Sequence, residues 1–235
     1  MEVIILAGGL GTRLRKVLPD LPKPMAPVGD KPFLYYLLSW LEQNNAERII
    51  LSTGYRSDRI KDYFGTLFGS MTIRYMCEEH PLGTGGAIKY ALTATSGDNV
   101  LIVNGDTWFP VDLSRFSTFH ASGRNLFSMA LKKMTDFSRY GTVEFRDGTI
   151  FSFSEKKFCR EGLINGGIYL MDRNFIEDRD LPDKFSLEKD LLEKEAASLI
   201  IKGMIFDAPF LDIGIPEDLR RAGMIPGSTD NMMKK

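Results

Sequence analysis

Histidine and cysteine are scarce in this chain, with two of each among 235 residues. His80 and His120 belong to no HExxH pair, and no GxSxG elbow is present, so neither a zincin centre nor a serine-hydrolase triad can be assembled. Cys77 and Cys159 stand far apart and form no CxxC. That spacing fits a reducing compartment, argues against structural zinc and leaves both as small buried residues. Long apolar runs are also missing, since none approaches the roughly 20 residues of a membrane span. The apolar start Met1 to Ala7 lacks a basic flank and meets glycines too early for a signal peptide, so a cytoplasmic protein is expected. Nor does one sign of charge dominate. Thirty Lys+Arg against thirty-one Asp+Glu leave a net charge of -1, which provides no global basic field for nucleic acid. Any anionic ligand must be met by local groups.

What is present suffices for a large core, with 43% apolar and 26% charged residues. Val3 to Ala7 is apolar on both alternating faces, as in a strand buried within a parallel sheet, and ends at Gly8-Gly9-Leu10-Gly11. Pro32 opens a helix carrying Leu34, Leu37, Leu38 and Leu41, followed by a strand at Arg48 to Ser52. Asp58 to Phe64 reads as a helix, Thr72 to Met76 as a strand, Gly86 to Ala94 as a helix and Asn99 to Val103 as a strand. This alternation implies parallel strands flanked by helices, with ligands beyond the carboxyl ends of the strands. From residue 126 the pattern is mixed. Leu126 to Lys132 reads as a strand, and Tyr140 to Arg146 and Thr149 to Ser154 flank the hairpin signal Asp147-Gly148. Strands at Leu163 to Met171 and Ile200 to Phe206 enclose a helix over Ser186 to Ala197, and Phe210-Leu211 adds a last short strand. A single domain over 1–225, in halves 1–125 and 126–225, with a flexible tail 226–235, is the expected organisation.

The first glycine loop matches neither common phosphate loop. GxGxxG from Gly9 meets Leu14 in place of its third glycine, and GxxxxGK[ST] from Gly8 meets Arg13-Leu14. By itself it could be a tight turn after a strand. Pro22-Lys23-Pro24 adds a lysine held stiffly between two prolines. Arg13 and Lys23 would offer a triphosphate a guanidinium fork and a point charge beside the loop N–H groups. Asp106, in Asn104-Gly105-Asp106, and Asp212, before Ile213-Gly214, each follow an apolar segment. Either alone is an ordinary turn residue, but two at strand ends suit magnesium, which takes one or two carboxylates plus phosphates and water.

Leu6-Ala7-Gly8-Gly9-Leu10-Gly11-Thr12-Arg13-Leu14, followed by Pro22-Lys23-Pro24-Met25-Ala26-Pro27, closely resembles the signature of the sugar-1-phosphate nucleotidyltransferases. Tyr140-Gly141-Thr142-Val143, Glu155-Lys156 and Asn165-Gly166-Gly167-Ile168-Tyr169 resemble three further motifs in the same order, so the likeness spans nearly the whole chain. It implies a Rossmann-like α/β nucleotidyltransferase fold, a mostly parallel sheet flanked by helices with a mixed α+β sugar-binding lobe. The implied activity transfers a nucleoside monophosphate from an NTP to a sugar 1-phosphate with release of pyrophosphate. Arg13 and Lys23 would then be catalytic, and Asp106 and Asp212 would hold Mg2+. Leu6, Ala7, Gly8, Gly9, Gly11, Thr12, Gly83 and Thr84 would surround the nucleotide. Tyr140, Gly141, Glu155, Lys156 and Asn165 would bind the sugar phosphate.

Cys77-Glu78-Glu79-His80-Pro81-Leu82-Gly83 resembles the segment that reads the base. A carboxylate at Glu78, or alternatively Glu79, accepts both N1–H and N2–H of guanine, which makes GTP the expected donor. Glycines there would let backbone pack on the purine. For the sugar, the likeness leans to D-glycero-α-D-manno-heptose 1-phosphate, with mannose, glucose and N-acetylmuramate 1-phosphates as alternatives. A glycosyltransferase would show DxD, whereas Thr107-Trp108 follows Asp106. An inactive nucleotide-sugar-binding relative would commonly lack the charged residues kept here. No hexapeptide repeats follow Asp212, so no acetyltransferase extension is expected, and a homodimer would be an unsurprising assembly.

Overall fold

The computed structural model describes residues 1–9, 11, 18–198 and 200–226. The expected tail, from 227 onward, and Thr12 and Arg13 lie outside the described residues. Chain order begins with β1 (Glu2–Leu6), a 3-10 turn at Lys23–Met25, the pair β2 (Pro27–Val28) and β3 (Lys31–Pro32), and α1 (Phe33–Gln43). There follow β4 (Arg48–Thr53), α2 (Ser57–Phe64), β5 (Leu67–Phe68), β6 (Met71–Cys77), α3 (Gly83–Leu92), β7 (Asn99–Asn104), β8 (Thr107–Trp108) and α4 (Leu113–Ser122). The second half comprises β9 (Phe127–Phe137), β10 (Thr142–Arg146), β11 (Thr149–Ser154), β12 (Cys159–Asp172) and α5 (Asn174–Glu177). A π-helical turn at Leu187–Leu192 then leads to α6 (Glu193–Glu195), β13 (Ile201–Phe206), β14 (Leu211–Asp212) and α7 (Pro216–Arg221).

Ten strands form one sheet in the order β10-β11-β13-β9-β12-β7-β1-β4-β6-β5. β7, β1, β4 and β6 are mutually parallel, which aligns their carboxyl ends along one edge. β12 runs antiparallel to both β7 and β9 and joins the parallel half to the mixed half. Successive residues of β1 enter different cores: Val3 and Ile5 belong to the one that includes the buried face of α1, while Ile4 belongs to the one that includes Ile88 of α3. A strand covered on both faces has to be apolar throughout, which is why its sequence shows no alternation.

Several elements differ from the sequence reading. α4 has a plain signal, because Asp112 accepts from the Arg115 N–H as an N-cap and Leu113, Phe116 and His120 line one buried stripe. β12 extends back to Cys159, with a register irregularity between Asn165 and Tyr169 where Gly167 adopts φ +73°. The helix expected over Ser186 to Ala197 is broken into a π-turn and short pieces. Asp147 and Gly148 do close the β10–β11 hairpin, both at positive φ. The cysteines are not buried as expected: Cys77 is exposed and Cys159 is only partly covered. Cys77 falls on the outward phase of β6, at the strand end that the two-residue β5 leaves uncovered. Among the described residues no helix is long and apolar enough to cross a membrane.

His120 is 4% exposed and lies between Ser128 Oγ on Nδ1 and Asn99 Oδ1 on Nε2, each at 2.9 Å. Burial holds its pKa below the ordinary histidine range, partly opposed by the Asp172 charge. The unfolded chain therefore takes up this proton at a higher pH than the folded one, and stability is lost as pH falls below the ordinary histidine value. Thermal unfolding midpoints should drop between about pH 7 and pH 5, and less steeply in His120→Gln. An unchanged slope in that variant would assign the effect to other groups.

Candidate active site

The parallel strands end at a common edge, and close backbone approach there shapes the site. Gly105 donates its N–H to the Leu6 carbonyl at 3.0 Å, and a Cβ at Gly105 would lie 2.7 Å from that oxygen. Only glycine lets β7 turn so tightly over β1, and the turn delivers Asp106 to the strand ends. Asp212 reaches the same place from the other end of the chain. β14 pairs antiparallel with β8, setting Asp212 opposite Thr107, and the Ile213 N–H donates to the Asp106 carbonyl at 3.0 Å.

Lys23 lies between these two carboxylates. Its Nζ donates to Asp106 Oδ2 at 2.6 Å and to Asp212 Oδ1 at 3.1 Å. The 3-10 turn containing Lys23 is fixed by Met25 N–H donating to the Pro22 carbonyl and by buried Pro24 and Met25. Gly11, at φ +54°, passes close beside it, where a Cβ would stand 3.2 Å from Lys23 Cβ. Two carboxylates converging on one cationic position suit a hard divalent ion that completes its shell with substrate oxygens and water. Among the described residues no group of three or more His, Cys, Asp or Glu could enclose a metal by itself.

A cleft of about 390 Å³ opens beside this cluster, lined by Leu6, Gly8, Gly9, Glu78, Gly83, Thr84 and Asp106 among others. Ala7 is buried beneath it, with its N–H donating to the Ser52 carbonyl. Glu78 is held from two sides, by the Ser52 hydroxyl donating to Oε1 at 3.1 Å and the Leu82 N–H donating to Oε2 at 3.0 Å. A Cβ at Gly8 would come within 2.6 Å of Oε1, so glycine makes room for the carboxylate. Glu79 and His80 are exposed and line none of this cleft.

The second glycine loop, whose Gly83 and Thr84 line this cleft, also ties two distant segments together. Gly85 and Gly86 both donate N–H groups to the Phe185 carbonyl, at 3.1 and 3.3 Å. A Cβ at Gly83, Gly85 or Gly86 would collide with the chain at Asp183 or Phe185. These glycines join α3 to the segment before the π-turn. Thr84 belongs to the same junction, donating to Glu188 Oε2 at 2.7 Å and accepting from the Leu187 N–H at 2.9 Å.

Beyond that junction lies a larger cleft of about 660 Å³, lined by Gly141, Glu155, Lys156, Asn165, Ser186 and Glu188 among others. Glu155 and Lys156 are exposed within it, while Asn165 is fixed by donating to the Tyr169 hydroxyl at 2.8 Å and accepting from the Gly167 N–H at 2.9 Å. Burial raises the Tyr169 pKa well above its ordinary value, so the phenol stays neutral beside Asn165. Four of the five expected sugar-side residues meet here. Tyr140 does not. Its ring packs edge-on against Phe210, and burial, then the Asp212 charge, pushes its pKa up to about 12. Glu188 and Lys189 of the π-turn line this cleft without having been anticipated, because sequence periodicity reads the segment as a plain amphipathic helix. Arg139 was likewise passed over, although it immediately precedes the Tyr140-Gly141 motif.

A profile of the family described as nucleotidyl transferase matches residues 2–225. The D-glycero-alpha-D-manno-heptose 1-phosphate guanylyltransferase of Aneurinibacillus thermoaerophilus is 49% identical over 222 residues, spanning 94% of this chain and 96% of the relative. The Campylobacter jejuni protein of the same name is 44% identical over 219 residues, spanning 93% and 96%. Among solved structures, HddC from Yersinia pseudotuberculosis matches with a TM-score of 0.85 at 39% identity, over 94% of this chain and 97% of that one. HddC complexed with GMP-PN matches with a TM-score of 0.83 at 38% identity, over the same shares.

Gly141 offers a direct test of the larger cleft's construction. A Cβ there would stand 2.5 Å from the Ser154 carbonyl oxygen, immediately before Glu155-Lys156. Gly141→Ala should force β10 and β11 apart at this end and cost about 1 to 3 kcal/mol, read by urea unfolding. A variant of wild-type stability would show that the hairpin opens freely.

Proposed function

The chain belongs to the nucleotidyl transferase family, and from that premise we propose that it transfers GMP from GTP to D-glycero-α-D-manno-heptose 1-phosphate, giving GDP-heptose and pyrophosphate. The observation that carries the reaction class is the meeting of Lys23, Asp106 and Asp212 at the mouth of the cleft containing Glu78. The heptose guanylyltransferases at 49% and 44% identity support the choice of sugar. The GMP-PN complex of HddC supports a guanine nucleotide. The two unpaired thiols suit a cytoplasmic setting.

In the transfer, an oxygen of the sugar 1-phosphate bonds to the α-phosphorus of GTP, and the bond from that phosphorus to the β-phosphate bridging oxygen breaks. Pyrophosphate leaves with the electron pair. The nucleophile is already anionic at neutral pH, so the protein's task is positioning and charge neutralisation rather than proton abstraction. Glu155 accepts from sugar hydroxyls, Asn165 donates its remaining amide N–H to one, Gly141 presents its N–H, and Lys156 neutralises the 1-phosphate. Leu6, Gly8 and Gly9 bring backbone close to the nucleotide, and Lys23 and Arg13 serve its phosphates. Asp106 and Asp212 would hold Mg2+, which when bound screens phosphate charge and polarises the phosphoryl oxygens.

Asp106→Asn and Asp212→Asn should each abolish most pyrophosphate release without unfolding the protein, and EDTA should do the same. Near-normal rates in both variants, or turnover surviving chelation, would remove the carboxylates from the reaction.

Base choice rests on Glu78, whose two oxygens keep acceptor capacity beyond Ser52 and Leu82. Adenine offers no N1–H and N2–H pair, and uracil flanks its single ring N–H with carbonyls that repel the acid. A charged hydrogen bond contributes about 1.5 to 3 kcal/mol, so Glu78→Gln should lower kcat/KM for GTP roughly ten- to a hundredfold and lower that for ITP less, since ITP lacks the N2 amine and keeps only N1–H. Assay of GTP, ITP, ATP, UTP and dTTP against heptose, mannose and glucose 1-phosphates tests the whole assignment. A wild type that prefers UTP or dTTP would refute guanine selection.

A further inference from the structure

Asp212 faces a cation on each carboxylate oxygen. Lys23 lies 3.1 Å from Oδ1, and Arg139 Nη2 lies 3.7 Å from Oδ2. Arg139 is itself anchored, because its Nη1 donates to Asp218 Oδ2. Asp218 is 6% exposed, and its other oxygen receives Arg221 at 3.3 Å. The Arg139 guanidinium also lies over the Tyr140 ring, 5.6 Å from its centroid. Gly214 completes the arrangement: a Cβ there would stand 3.0 Å from Asp212 Oδ1 and 3.3 Å from Arg139 Nη2. The result is a row of alternating charges, Asp218, Arg139, Asp212, Lys23 and Asp106, running from α7 to the nucleotide cleft.

We propose that Arg139, clamped by Asp218, is a positioning residue that fixes the side chain of Asp212 so that Oδ1 faces Asp106. The β8–β14 pairing fixes only the backbone of residue 212. Its carboxylate is still able to rotate, and once Lys23 turns to a nucleotide phosphate only the partner on Oδ2 opposes the repulsion from Asp106. A planar, permanently charged fork held at one end by a buried acid opposes that rotation better than a flexible lysine would. Burying Asp218 is tolerable only because it is paired, so the anchor and the arginine form one unit. The inference rests on the proposed nucleotidyl transfer, for it assigns Arg139 and Asp218 to the arrangement of a carboxylate used there.

Arg139→Met and Asp218→Asn should raise the half-saturating metal concentration for turnover roughly ten- to a hundredfold while leaving KM for the sugar 1-phosphate within about twofold. Direct titration with Mn2+ alone, followed by electron paramagnetic resonance on the full chain, should show the same weakening without any turnover. Arg139→Lys, which keeps a charge beside Asp218 and is the variant of recourse should the others not fold, should fall between wild type and Arg139→Met. A loss of stability with metal half-saturation and Mn2+ affinity unmoved would overturn the proposal, leaving a purely structural ion pair. A rise confined to KM for the sugar 1-phosphate would overturn it too, by making Arg139 a direct phosphate contact. Failure of the wild type to release pyrophosphate with any sugar 1-phosphate would instead strike the functional reading, and the Mn2+ titration would still judge the positioning role.

Discussion

Two aspartates brought together repel, and the ion pairs of Lys23 with Asp106 and Asp212 make their meeting tolerable. Like charges held at one strand edge repel, and that repulsion opposes folding unless a cation offsets it. One ammonium between them offsets that repulsion and leaves the trio with a net negative charge. The same arrangement that stabilises the folded chain therefore prepares a place where a divalent cation and nucleotide phosphates can be received. Several features of the fold serve this meeting: the tight turn at Gly105, the β8–β14 pairing and the proline-framed turn around Lys23.

Glycine acts here chiefly through what it allows to come close. At Gly8 the neighbour is the Glu78 carboxylate, at Gly105 the end of β1, at Gly141 the carbonyl of Ser154 and at Gly85 the Phe185 ring. In each case the missing side chain lets one segment press against another. The contacts at Gly83, Gly85 and Gly86 have a second consequence, since they bind the first turn of α3 to the segment that leads into the π-turn. Thr84 then faces the smaller cleft while its hydroxyl holds Glu188 of the larger one. The two clefts share a wall made of one short hydrogen-bonded junction. π-helical turns are uncommon and recur at functional sites, in keeping with this one forming part of that wall.

Much of the architecture was legible because burial leaves a local trace. β1, β4 and β7 read as strands from apolar runs, α1 from its leucine stripe behind Pro32, and the β10–β11 hairpin from Asp147-Gly148. α4 was left without bounds although its Asp112 cap and buried stripe were in plain view. The full length of β12 and the π-turn were not legible, because both depend on partners distant in sequence. Cys77 was misjudged for a related reason: a cysteine is small and apolar, but its exposure follows from strand phase and from how far β5 extends.

Motifs alone named most residues of the candidate site, from the glycine loop to Lys156, because chemistry that needs a given side chain at a given turn leaves a fixed spacing. The sequence also determined the alternating βα order and the absence of a membrane-length apolar run. Tertiary structure decided what spacing cannot express. It brought Lys23, Asp106 and Asp212 to one point, put Glu78 rather than Glu79 in the cleft, turned Tyr140 away from the larger pocket and set Arg139 behind Asp212. The physical reason is range. Backbone propensity and hydrophobic period act over a few residues, whereas the direction of a side chain at a strand end is set by whichever distant segment packs against it.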